Sequence, residues 1–395
     1  MKIIAVLENK IHDGGAFNQA LNAIMQMRRI CEGKFEFEIF STIEENIDDL
    51  KKLGISCTWM PITFADKIIA MFTDWRWWGR IQNLIKMHGP FEKKLIQHEC
   101  DLVYFLTQSP SPKILQQTNF ITTVFDLCHR DTPEFPEVRT YGKFQAIEEH
   151  FKTNLASALM VITESESLSD KVSRRYGIDR ERCLSMPMSA SALLQDEVSS
   201  DTSSVLKKYN LNMGYFFYPA QFWAHKNHIR ILEAILHLRE VDVHYNVVFA
   251  GSDKGNKKHV EEFVAKNLLN KQVRFLGFVP AEDMRGLYEG CAAVVMPTYF
   301  GPTNLPPLEA WLTKRPLIYT SYSKEQAGDA AICVNPDDKV ELATAMKACT
   351  DLETATTLGE LGLLRLRLFD GLREVAETEL TNRLIQFEIR RRCWR

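Results

Sequence analysis

The sequence predicts an α/β protein built from two parallel-sheet domains, and three observations lead there. Short apolar, β-type runs recur with helical stretches between them: IIAVL, FEIF, DLVYFL, ITTVF and LMVIT, reaching about residue 165. Strands separated by helices pair in parallel, because a crossover is needed to bring the chain back to the same end of the sheet. A Ser- and Asp-rich stretch, SASALLQDEVSSDTSS, then breaks the pattern, after which the rhythm restarts with YFFYP, NVVFAG, VRFLGF, AAVVMP, PLIYT and AAICV. The chain has 395 residues, enough for two or three units that each bury a core.

The expected boundaries are residues 1–190 for the first domain, 191–212 for a linker and 213–365 for the second domain. Residues 366–395, rich in Leu, Glu and Arg, read as a helical segment. Ligands of such sheets sit at the carboxyl ends of strands, so a cleft between the two domains is the expected site.

Composition excludes several classes. With 45% hydrophobic and 25% charged residues the chain is an ordinary folded protein, not a disordered or coiled-coil one. A net charge of −3 argues against nucleic acid as a general partner. The nine cysteines show no C-x-x-C pair and no zinc spacing, and read as reduced thiols of a cytoplasmic protein. The apolar run of MKIIAVLENK is too short for a signal-peptide core, and no stretch reaches the length of a membrane span. There is no G-x-G-x-x-G after a strand, no G-K-[ST] loop, no H-E-x-x-H and no D-x-D. Dinucleotide oxidoreductase and P-loop ATPase are thereby disfavoured, and no metal ligands are expected.

The most informative segment is AAVVMPTYFGPTNLPPLEAWLTKRPLIYTS, residues 292–321. A strand leads into a turn-rich loop, and a helix starts at Leu305-Pro306-Pro307, where proline is tolerated because the N–H it lacks has no partner in a first helical turn. Amides at a helix start, with the positive end of the dipole, suit a phosphate or diphosphate. Glu309 stands close enough to accept from the hydroxyls of an attached ribose. The same pattern also fits a surface helix whose acidic residue merely complements the dipole.

Gly301-Pro302-Thr303-Asn304-Leu305-Pro306-Pro307-Leu308-Glu309-Ala310 resembles the E-G-F-G-L-P-x-L-E-A pattern of retaining family-4 glycosyltransferases of the GT-B fold. YFFYPAQFWAHKNH (215–228), VVFAGSDKG, VRFLGFVPAEDMRGLYEGCAAVVMPT and EQAGDAAICVNPDD are similar to that family's successive segments, in order. The resemblance implies two Rossmann-like domains facing each other across a cleft, and a nucleotide-sugar donor. It places Lys226 on the donor diphosphate, the amides of Gly301, Thr303, Asn304 and Leu305 around phosphate and sugar, Glu309 on the ribose, and the backbone of Gly277, Phe278 and Val279 near the base. Two departures stand out. Gly301 occupies the place of the family's first Glu, and Gln221 stands where an Arg is usual; it donates hydrogen bonds but neutralises no charge.

The first half matches more loosely. HDGGAFNQALNAI (12–24) resembles the glycine-rich loop after the family's first strand, where Gly14 and Gly15 would let backbone approach the donor or acceptor; two glycines after a strand also read as a plain turn. In ITTVFDLCHRDTPEFPEV (121–138) the family's His-Asp is reduced to Asp126, with Phe125 before it. Asp126 or His129 is the candidate for taking the acceptor proton, against a structural hydrogen-bonding role for either. VITESESLS (161–169) resembles the strand and helix start that the family has near its acceptor face, and Ser165 reads equally well as an N-cap, with Ser167 nearby.

The function these expectations add up to is retaining transfer of a sugar from a nucleoside diphosphate to a hydroxyl of a growing glycan or lipid-linked oligosaccharide, in bacterial polysaccharide biosynthesis. No cofactor or metal is expected, the nucleotide-sugar being substrate; Lys226 and the helix amides would stabilise charge on the leaving diphosphate. A sugar-nucleotide epimerase or hydrolase, and a non-catalytic partner of another transferase, are the alternatives. KIIAMFTDWRWWGRIQNLIKMHGPFEKK (67–94), with Trp75, Trp77 and Trp78 among Arg76, Arg80, Lys86, Lys93 and Lys94, and the terminal IRRRCWR (389–395) both interleave aromatic and basic residues. They suit peripheral contact with the inner face of the cytoplasmic membrane, and equally tryptophans in a core with the charges as a solvated rim. The family resemblance implies that the last helix returns to the first domain.

Overall fold

The computed structural model describes residues 1–10, 14–73, 88–195 and 201–394, without the side chains of 193 and 195. The chain divides into two compact units: residues 1–129, 141–187 and 372–395 form the first, residues 130–140 and 188–371 the second.

The first unit is built on a seven-stranded sheet of β1 (Lys2–Leu7), β2 (Glu36–Ser41), β3 (Thr58–Trp59), β4 (Leu102–Phe105), β5 (Asn119–Val124), β6 (Met160–Thr163) and β7 (Cys183–Ser185). All its pairs are parallel, in the order β3-β2-β1-β4-β5-β6-β7. The runs are continuous rather than alternating because helices cover both faces: every residue of β4 and β6 is buried. Phe105, Phe120, Phe151 and Val161 meet in the core beneath.

The second unit carries a six-stranded parallel sheet: β8 (Tyr215–Pro219), β9 (Val247–Ala250), β10 (Val273–Gly277), β11 (Cys291–Met296), β12 (Leu317–Thr320) and β13 (Ile332–Val334), ordered β10-β9-β8-β11-β12-β13. Phe216, Phe217, Trp311 and Tyr319 are fully buried in its core. The order reverses at β8, so the loops that leave the carboxyl ends of β8 and β11 open a crevice between them. Gly251, just past β9, allows a close approach there: a Cβ would stand 2.2 Å from the Ala220 carbonyl oxygen.

The interval 191–212, expected as a linker, is in part core of the second unit. The helix Thr202–Lys208 buries Val205 and Leu206. Lys208 and Tyr209 both donate to Asp283, at 2.6 and 2.7 Å, so this stretch is docked on the helix Ala281–Gly290. Its Ser and Asp residues are cap and surface positions of a short helix, Asp201 accepting from the Ser203 N–H at 3.2 Å.

Residues 130–140, expected within the first domain, belong to the second unit. Phe135 packs 5.0 Å from Phe300 and 5.3 Å from Tyr299, which explains the assignment. The last helix, Leu352–Arg391, is shared. Its first half is held to the second unit by Arg365 donating to the Gln326 carbonyl at 2.9 Å, and its second half to the first unit by Gln26 and Arg29 on Glu377, each at 2.9 Å. Among the described residues no helix is long and apolar enough to cross a membrane.

Candidate functional site

The crevice of the second sheet is framed by the turn after β8 and the loop after β11. In the turn, Gln221 accepts from the Trp223 indole at 3.1 Å, and a single helical turn, Ala224–Lys226, follows. Asn227 takes a left-handed conformation (φ 56°) that turns the chain into the helix His228–Glu240. Its side chain fixes the turn by donating to the carbonyls of Pro297 and Pro336 at 3.1 and 2.8 Å.

His225 knits three segments together. Its backbone N–H donates to Glu137 at 2.9 Å, and its ring Nδ1 pairs with the same carboxylate. Its carbonyl accepts from the Tyr299 N–H at 2.9 Å, and its ring stacks on Phe300 at 4.2 Å. Burial pushes the Glu137 carboxyl upward, but the hydrogen bonds from His225 outweigh it and hold the group below its ordinary range.

Lys226 extends to the loop and donates to the Asn304 side-chain oxygen at 3.3 Å. Asn304 is the N-cap of the helix Leu305–Leu312, yet its side chain does not cap that helix. It donates instead to the Gly301 carbonyl at 3.2 Å and the Tyr319 hydroxyl at 2.7 Å. Its backbone N–H donates to the Gln326 side chain at 2.8 Å. This corrects the expected set of amides around phosphate and sugar, because the N–H of Asn304 is already committed within the protein. Gly301 has φ +92°, where glycine is the natural residue.

Glu309 lies inside the same helix, 6% exposed. Tyr288 donates to it at 2.5 Å, and burial drives its carboxyl up to about 7. Among the described residues its other oxygen has no partner, so one acceptor remains. Gly277, Phe278 and Val279 end and follow β10; Phe278 is 43% exposed, whereas Val279 belongs to the core.

The remaining expected residues lie in the first unit. Gly14 (φ 62°) caps the helix Gly15–Cys31, and a Cβ on Gly15 would meet nothing within 4 Å. His12 lies outside the described residues. Asp126 follows β5 and accepts from the Cys128 N–H at 2.9 Å, a local turn bond. His129 is 2% exposed; its Nε2 lies 3.2 Å from both Glu148 and the Tyr176 hydroxyl. That placement puts the ring in a buried polar cluster with Glu148 and Tyr176, which favours the structural hydrogen-bonding reading over that of a proton acceptor. Ser165 is an N-cap, accepting from the Leu168 N–H at 3.2 Å.

The sequence singled out Lys226, Asn304 and Glu309 but not the residues that hold them. Tyr319, Gln326, Tyr288 and Glu137 carry no local signal, being a strand tyrosine, a helix glutamine, a helix tyrosine and a carboxylate of a short helix distant in sequence. His225 had one, its place directly before the lysine.

Residues 214–351 match the family described as glycosyl transferases group 1. The chain is 25% identical over 222 residues to O-antigen chain mannosyltransferase B of Escherichia coli, covering 55% of this chain and 58% of that one. It is 25% identical over 197 residues to O-antigen chain mannosyltransferase RfbU of Salmonella typhimurium, covering 49% and 52%. The chain thus spans just over half the length of these curated relatives. Among solved structures, HepE of Anabaena in complex with UDP and glucose superposes with a TM-score of 0.71 at 16% identity, covering 97% of this chain and all of that one. Residues 214–351 are thus similar to the group 1 glycosyltransferases, and the chain that carries them has the two-sheet GT-B fold.

Proposed function

We propose that the protein is a retaining glycosyltransferase that moves a sugar from a nucleoside-diphosphate sugar to a hydroxyl of a growing glycan or lipid-linked oligosaccharide in bacterial surface-polysaccharide synthesis. The observation that carries this reading is the meeting of Lys226 with the loop 301–304 and the helix start at Leu305, at the point where the second sheet reverses its order. An ammonium beside a helix N-terminus suits a diphosphate, whose charge grows as the bond to the sugar breaks. Lys226 stabilises that leaving group, and Glu309 offers its second oxygen to a ribose hydroxyl. The leaving diphosphate, which gains negative charge as the sugar departs, takes the acceptor proton.

The O-antigen mannosyltransferases among the relatives support a polysaccharide acceptor, and the UDP complex of HepE supports a nucleotide donor. The cytoplasmic side of the membrane is where such an acceptor would be met. Peripheral contact has support in the helix Phe64–Thr73, whose Phe64 and Met71 are 77% and 76% exposed, and in Trp394, 60% exposed. Trp75, Arg76, Trp77, Trp78, Arg80 and Lys86 lie outside the described residues.

Calorimetric binding of UDP, GDP, ADP and TDP, followed by their sugars, tests the donor. Turnover with lipid-linked acceptors tests transfer. Nucleotide binding without transfer to any acceptor would mark a non-catalytic partner, and release of free sugar or an epimer would mark a hydrolase or epimerase.

A further inference from the structure

Asn304 is placed to cap a helix and does something else. An N-cap asparagine ordinarily accepts from the amides of the first helical turn. Here the second and third helical residues are Pro306 and Pro307, which have no N–H to give, so the usual reason for the side chain to fold back is largely removed. The amide is instead fixed from three sides. Its nitrogen donates to the Gly301 carbonyl, which can only accept, so the nitrogen must face that way and the oxygen must face Lys226. Tyr319 accepts from the same nitrogen at 2.7 Å and donates to the Gln326 oxygen at 2.9 Å. Gln326 closes the ring: it accepts from the Asn304 N–H and donates to the Asn304 carbonyl at 2.7 Å. Gln326 is 3% exposed and Tyr319 fully buried, so neither has solvent as an alternative partner.

Gly301 belongs to the same arrangement. A Cβ there would lie 2.8 Å from the Asn304 amide nitrogen and 3.1 Å from its oxygen. Any side chain at 301 would therefore displace the amide that meets Lys226. The bare position and the asparagine are two halves of one device: the loop meets the lysine with a neutral carbonyl, not a carboxylate.

We propose that Asn304, locked by Tyr319 and Gln326, is a positioning residue that aims the Lys226 ammonium at the donor's diphosphate without itself neutralising the lysine's charge. A carboxylate at this place would hold the lysine as firmly but would compete with the diphosphate for its charge. The proposal rests on the donor-binding reading above, and the test separates the two.

The experiment is calorimetry of whichever of UDP, GDP, ADP and TDP binds best, alongside the matching nucleoside without phosphates, at low and high salt. Asn304→Asp nearly preserves shape and adds a charge. It should weaken the diphosphate roughly tenfold or more, leave the nucleoside within about twofold, and flatten the salt dependence of diphosphate binding. Tyr319→Phe, which removes one of the amide's anchors without adding charge, should weaken the diphosphate by a few-fold with the salt dependence kept. Melting curves establish that each variant is folded. Diphosphate affinity in folded Asn304→Asp equal to that of wild type overturns the proposal, as does equal loss of nucleoside and diphosphate. Should Asn304→Asp not fold, unchanged diphosphate affinity in Tyr319→Phe overturns it. Wild-type protein that binds none of the diphosphates overturns the donor reading itself.

Discussion

The Glu137 carboxylate accepts from the backbone N–H of His225 at 2.9 Å across 88 residues of sequence, and the His225 ring pairs with the same oxygen. Both side chains are nearly buried, 8% exposed for Glu137 and 11% for His225. The turn that presents Lys226 is thus fastened to a segment that precedes it by several strands.

Glu137→Ala should remove the two bonds that the His225 N–H and ring make to the carboxylate, at a cost of roughly 2–4 kcal/mol in urea unfolding. Glu137→Gln should cost less. Because the folded carboxyl lies below its ordinary range, the wild-type pair contributes stability that is fully present above the ordinary carboxylate value. That contribution is lost as pH falls through the lowered value, so Glu137→Gln should show a shallower acid loss than wild type. Identical acid transitions would show that the pair adds nothing.

Lys226→Ala should lose donor binding, because the diphosphate keeps its charge without its partner. The cost is roughly 2–5 kcal/mol if the site is desolvated, read as affinity by calorimetry. Near-normal affinity would remove Lys226 from the donor site.

Glu309 couples function to stability with the opposite sign. Its carboxyl is raised to about 7 in the folded chain by burial, so folding is favoured by the protonated form and loses stability as pH rises through that value. Glu309→Gln keeps an acceptor for Tyr288 and carries no charge. The variant should gain on wild type as pH is raised from acid to alkaline, ending ahead by on the order of 1–3 kcal/mol in chemical denaturation. The same variant should bind nucleotides more weakly, a neutral amide being the poorer acceptor. Unchanged nucleotide affinity would make the residue structural.

Turnover should survive excess chelator, because Lys226 and the dipole of the helix Leu305–Leu312 supply the positive field that a cation would otherwise provide. A reaction that stops in chelator and returns with Mg²⁺ or Mn²⁺ would show the donor site to be misread.

Sedimentation with anionic vesicles should show binding that falls with salt, and falls further in Phe64→Glu with Met71→Glu, which places charge on an exposed apolar helix face. Trp77→Ala with Arg76→Glu should act in the same direction. No binding at low salt would mean that the acceptor is met in solution.

The two parallel sheets were legible in the sequence, because the period of apolar runs and the helices between them are local properties that need no partner to be read. Glu309 was legible for a similar reason, standing in a strand-loop-helix segment, whereas Lys226 and Asn304 were legible through the resemblance of residues 215–228 and 301–310 to a known family. What those residues can do depended on the folded chain. Buried groups must find partners wherever the fold places them, and the partners came from distant segments: Tyr288 for Glu309, Tyr319 and Gln326 for Asn304, Glu137 for the turn of Lys226. The same requirement pairs His129, which follows its strand closely in sequence, with Glu148 and Tyr176. It also drew Val205 and Leu206 into the core, where they leave water by packing against the helix Ala281–Gly290, far along the chain and beyond the reach of any local pattern.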